Sequence, residues 1–158
     1  MNEHISREAT YEYWPLDKDG NRILKEGSAT IKELRFGAVF ISGLKELEDH
    51  LRQEMLQALM PQVESCKTPE IAAMIVRSAI ELGDKRRIGT KEFDLAVKSL
   101  AGIAYLTYLS LRVNHPEMTP SLALKIVSDS NTSKRFALLQ TQLFTATGFK
   151  SDEGNLGN

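Results

Sequence analysis

Three histidines and one cysteine are the side chains here best suited to acid–base, metal or nucleophilic chemistry, and they are scattered. His4 lies near the start, His50 in a helical pattern and His115 in a loop, and none has another histidine or cysteine at metal-ligand spacing. His50 follows Glu48 and Asp49, but adjacent helical residues point in different directions, which reads as a solvated charged face. Cys66 sits between Ser65 and Lys67. A nucleophile needs an oriented base as well, and no local signature supplies one, so Cys66 reads as a loop cysteine. The serines form neither a Gly-x-Ser-x-Gly elbow nor a Ser-x-x-Lys set with its companion motifs.

For phosphate there is no Walker loop and no dinucleotide fingerprint. Lys85, Arg86 and Arg87, between Gly83 and Gly89, are the candidate anion contact. Without converging backbone donors they read as a solvated turn whose cations sit well at a helix C-terminus. Asp17-Lys18-Asp19-Gly20-Asn21 begins like a calcium loop, but its glycine comes too early for a ligand run of about twelve residues. The expectation is therefore a chain with no catalytic residue, no metal site and no cofactor, and not an enzyme.

Composition narrows the remaining classes. The chain has 158 residues, enough for one domain with a small appendage and for burying about two-thirds of the unfolded surface. One cysteine rules out an intramolecular disulfide framework. Twenty Lys+Arg against 21 Asp+Glu leave no overall basic field, so nucleic acid is an improbable partner. The apolar run Ser99–Leu111 is shorter than the roughly 20 residues of a membrane span, and the polar start Met1-Asn2-Glu3-His4 does not read as a signal peptide. A soluble, cytoplasmic protein with no membrane partner is expected.

The elements that must position any site divide the chain into residues 1–34, 35–149 and 150–158. In the first stretch, Thr10–Trp14 alternates β-formers with polar residues, Asp17–Asn21 is a turn signal, and Arg22–Lys25 is the expected return strand. Ala29–Leu34 is a candidate third strand. A two-stranded hairpin is marginal alone and must lean on a helical body or a partner.

In the second stretch, Leu44, Leu47, Leu51, Met55 and Leu59 form an apolar helical stripe that should end near Met60-Pro61. Thr68-Pro69 starts a helix whose buried stripe is expected at Ile71, Met74, Ile75, Ala79 and Leu82, with Gly83 as C-cap. Thr90 caps a third, running to Leu111 and apolar nearly all round past Leu100, which marks it as the central core helix. Thr119-Pro120 opens a fourth through Val127, and a fifth carries Phe136, Leu139, Leu143 and Phe144 before Gly148. Lys150–Asn158 reads as a mobile tail. The fold class is mainly α, about five helices behind an N-terminal β-hairpin.

One stretch carries a resemblance. Leu106-Thr107-Tyr108-Leu109-Ser110-Leu111-Arg112-Val113-Asn114-His115-Pro116-Glu117-Met118-Thr119, followed by a short helix and one more, resembles the tail assembly chaperones of long-tailed bacteriophages over residues 90–148. The resemblance implies a non-enzymatic morphogenesis protein of the host cytoplasm that binds helical tape-measure segments and tail-tube subunits. Such a role needs an exposed apolar groove for amphipathic helices. The candidates are the stripe Leu44, Leu47, Leu51, Met55 and Leu59, and the face Phe136, Leu139 and Leu143. Two other classes stand beside it: a virion or oligomer component assembling through the hairpin, and a small regulator touching nucleic acid through Lys85, Arg86, Arg87 and Arg77.

Overall fold

A computed structural model describes residues 9–13, 19, 33–130 and 133–149. The expected turn (Asp19 apart), the return strand at Arg22–Lys25 and the tail Lys150–Asn158 lie outside the described residues. Those described form two strands and six helices, a mainly α fold with an N-terminal antiparallel pair. They cluster into two compact units, one within Met1–Val39 and Ile103–Asn158, the other Phe40–Gly102.

The first unit is built on β1 (Ala9–Glu12) and β2 (Glu33–Phe36), paired with Ala9 opposite Phe36 and Tyr11 opposite Leu34. The strand partner is thus Glu33–Phe36, overlapping only the end of the third candidate strand. Ala9, Tyr11, Leu34 and Phe36 point inward, while Thr10, Glu12, Glu33 and Arg35 face out, the alternation a half-buried sheet requires. α5 (Pro120–Asp129) begins at the expected cap, with the Leu122 amide donating to Thr119 Oγ1 at 3.1 Å. α6 (Ser133–Thr147) packs on both strands and ends in Gly148 at φ 79°, the left-handed closure that glycine favours. α4 (Leu100–Leu111) contributes Ile103, Leu106, Leu109 and Leu111, all buried, so the expectation of a core helix holds.

The second unit is a helical hairpin with a short third helix. α1 (Ile41–Ser65) runs through Pro61 and does not stop before it. Proline removes the amide that would bond the Gln57 carbonyl, but Gln57 and Pro61 are both exposed, so water can take that place. α2 (Pro69–Lys85) starts where Thr68-Pro69 predicts, although the Thr68 side chain makes no cap bond. It passes through Gly83, which is a buried helical position and not a cap.

The expected helix from Thr90 to Leu111 is two helices, α3 (Lys91–Val97) and α4. Thr90 caps α3 through the Phe93 amide, as predicted. At the break, Ser99 Oγ donates to the Ala96 carbonyl at 2.6 Å and accepts from the Gly102 amide at 3.1 Å, ending one helix and capping the next. A Cβ at Gly102 would run into the Ala96 and Val97 carbonyl oxygens, so the corner needs glycine.

Candidate protein-docking groove

α1 and α2 pack antiparallel, and polar contacts fix one end of their hairpin. Arg52 Nη2 donates to Asp84 Oδ1 at 2.7 Å, the Ile88 amide to Glu48 Oε2 at 2.8 Å, and Arg86 Nη1 to the Leu51 carbonyl at 3.4 Å. Gly83 faces Arg52 there, with room for a methyl group, since an ideal Cβ would lie 3.8 Å from Arg52 Cγ. Leu47 and Leu51 are fully buried at this end.

Toward the other end burial fades. Met55 and Leu59 are only half-buried and Met60 is 44% exposed, while Leu44, one turn before Leu47 at the pinned end, is half-buried too. On α2 the stripe expected to be buried is largely not: Ala79 is buried and Ile75 half-buried, but Ile71, Met74 and Leu82 are exposed. The surface α2 gives α1 is instead small, running through Ala72, Ile75, Val76, Ala79 and Gly83 at helical spacing. Small side chains bring the helices close but leave little reach to cover the flanks.

The uncovered flank forms an open cavity of about 430 Å³, lined by Val63 of α1 and by Ala72, Ala73, Val76 and Ile80 of α2. Arg77 and Glu81, one turn apart on α2, complete the lining, and among the described residues neither is in an ion pair. Ile80 is 48% exposed. The site has the composition of a helix-accepting groove: apolar walls with one charge of each sign.

The other candidates are placed differently. Leu139 and Leu143 are fully buried and Phe136 half-buried on α6, the helix that packs on the strands, so most of that face is consumed inside its own unit. Lys85 is exposed at the end of α2, but Arg86 is turned to the Leu51 carbonyl and Arg87 lies 3.9 Å from Asp84. Arg86 thus braces the hairpin, and the three cations do not gather into an anion cradle. His50 pairs with Glu54 at 3.5 Å on the outer face of α1, and Cys66 is half-buried at the α1 C-cap. Among the described residues no group of three or more His, Cys, Asp or Glu is placed to hold a metal ion, and no helix is long and apolar enough to cross a membrane.

A second cluster was legible only as a helix stop. The outer edge of β2 is clasped by the end of α4 and the turn after it. Ser110 Oγ donates to the Gly37 carbonyl at 2.7 Å while the Gly37 amide donates to the Ser110 carbonyl at 2.9 Å. Asn114 Nδ2 donates to the Arg35 carbonyl at 3.1 Å, and the Arg35 amide donates to His115 Nε2 at 3.0 Å. An asparagine and a histidine thus do for Arg35 what a third strand would do.

Fold and groove define a mainly α protein with a small antiparallel sheet and an apolar cleft on a helical hairpin. No protein-family model, curated protein or solved structure matches the chain.

Proposed function

We propose that the chain is a non-enzymatic phage morphogenesis protein, a tail assembly chaperone that shields helical tape-measure segments and hands on tail-tube subunits in the host cytoplasm. The observation that carries the reading is the open apolar cavity on the α1–α2 hairpin, lined by Val63, Ala72, Ala73, Val76 and by Ile80, which is 48% exposed. Burying that surface against an amphipathic client helix gains about 25 cal/mol per Å² of apolar area, and a client that aggregates alone has such area to offer. The resemblance in Leu106–Thr119 supplies the client's identity; the groove supplies the means.

The rival reading, assembly by strand addition, meets an obstacle at the β2 edge, whose Arg35 and Gly37 groups are already bonded by Asn114, His115 and Ser110. Nucleic-acid contact loses Arg86, which is turned to the Leu51 carbonyl of α1. The test is co-expression with a long helical tape-measure protein that is insoluble alone. Soluble complex is expected with the native chain and severe loss with Ile80→Asp, whose fold is checked by circular dichroism. Equal solubility with and without the chain would end the reading.

A further inference from the structure

We infer that the α2 groove is self-complementary and that, in the free protein, a second copy of this chain occupies it, so that two α2 helices pair antiparallel about a two-fold axis. This rests on the groove being a docking surface and adds what holds it before a client arrives.

The argument starts from spacing. Ala73, Val76, Arg77 and Ile80 stand at i, i+3, i+4 and i+7, the four corners of the hole into which a facing helix inserts one side chain. All four line the open cavity. The centre of that hole falls between Val76 and Arg77. In an antiparallel pair the residue opposite is fixed by the register, and placing Ile80 of the second copy over the hole puts Ile80 of the first over the partner's hole. One register therefore satisfies both copies with the same exposed isoleucine, as an isologous interface demands. Ala73 keeps a corner of the hole small, leaving room for the incoming side chain.

Charge fixes the direction. In that register Arg77 of each copy comes within reach of Glu81 of the other, and Glu81 of Arg77, giving two opposite-sign contacts from one residue pair. A parallel pairing sets opposite flanks of the two helices together, so Arg77 and Glu81, one turn apart on the same flank, would not meet across it. Neither side chain has an ion-pair partner among the described residues, so no existing bond has to break. A small-molecule occupant fits less well, because such sites converge several polar groups from different elements, and here both charges sit on one helix.

Light scattering and sedimentation equilibrium on the full chain, from about 1 μM to about 100 μM, test the pairing. The native chain should dimerise within that range. Arg77→Glu and Glu81→Arg should each weaken the dimer about tenfold, since each turns two attractions into two repulsions. The double variant restores both pairs with their signs exchanged, so its dissociation constant should return to within about threefold of native. Helicity of each variant at the lowest concentration separates lost pairing from lost fold. A native chain that stays monomeric, or a double variant no tighter than the singles, overturns the inference. Either result leaves the chaperone reading to its own co-expression test, and failure there would leave the dimer standing.

Discussion

Tyr13 shows how one side chain ties a strand to the helical part of its unit. Its hydroxyl donates to Asp129 Oδ2 at 2.7 Å, beside the contact of the Tyr11 hydroxyl with Ser130 Oγ at 3.3 Å. Burial, then the bond to Asp129 and the charge of that carboxylate, push the Tyr13 pKa well above its ordinary 10.0. The sign follows from linkage. A group whose proton is held more tightly in the folded state contributes fully below the unfolded value and loses that contribution as pH rises past it. Stability to urea should therefore fall above about pH 10, and Tyr13→Phe should flatten that alkaline slope while costing about 1–2 kcal/mol at neutral pH. A slope unchanged by the substitution would show that other groups set it.

Gly102 is the other position where one atom decides. Gly102→Ala places a methyl against the Ala96 and Val97 carbonyls at the α3–α4 corner, and should cost about 2–3 kcal/mol in the same denaturation experiment.

Among elements, the clasp on β2 has a local signature in exchange experiments. The Arg35 amide is protected by His115 and not by a strand, so His115→Ala should speed its hydrogen exchange by about tenfold or more. The amides bonded within the β1–β2 ladder should change little. Asn114→Ala frees only the Arg35 carbonyl and should leave that amide protected, with a stability loss of about 1 kcal/mol.

The elements also show where sequence is readable. Thr90 and Thr119 were legible as caps because the hydroxyl and the amide it accepts from lie three residues apart. The split at Ser99 was equally local, yet the surrounding apolar residues hide it, and only Ser99 with Gly102 three residues on marks it. Pro61 misleads because its cost depends on whether water reaches the Gln57 carbonyl. The pairing of β1 with Glu33–Phe36 joins residues far apart in sequence, and no periodicity reports that.

On the scale of the whole molecule, what matters is which apolar surface stays uncovered. Helical periodicity locates apolar faces but does not say what packs on them. The Leu139–Leu143 face and the Met55–Leu59 stretch look alike in sequence; the first is covered by its own sheet and the second is half open. The available clue was excess. α2 is apolar at Ile71, Ala72, Ala73, Met74, Ile75, Val76, Ala79, Ile80 and Leu82, more than one neighbouring helix can cover. The proposed client binding and the proposed self-pairing both use the groove on that helix, so the same substitutions should touch both.

The most direct test of the central claim is the yield of soluble tape-measure protein, from the genome that encodes this chain, on co-expression with the native chain and with Ile80→Asp. The groove account predicts a soluble complex with the native chain and a drop of about tenfold or more with the variant, both chains being equally helical. A variant that solubilises the client as well as the native chain would contradict it, and would move the client's site off the α1–α2 hairpin.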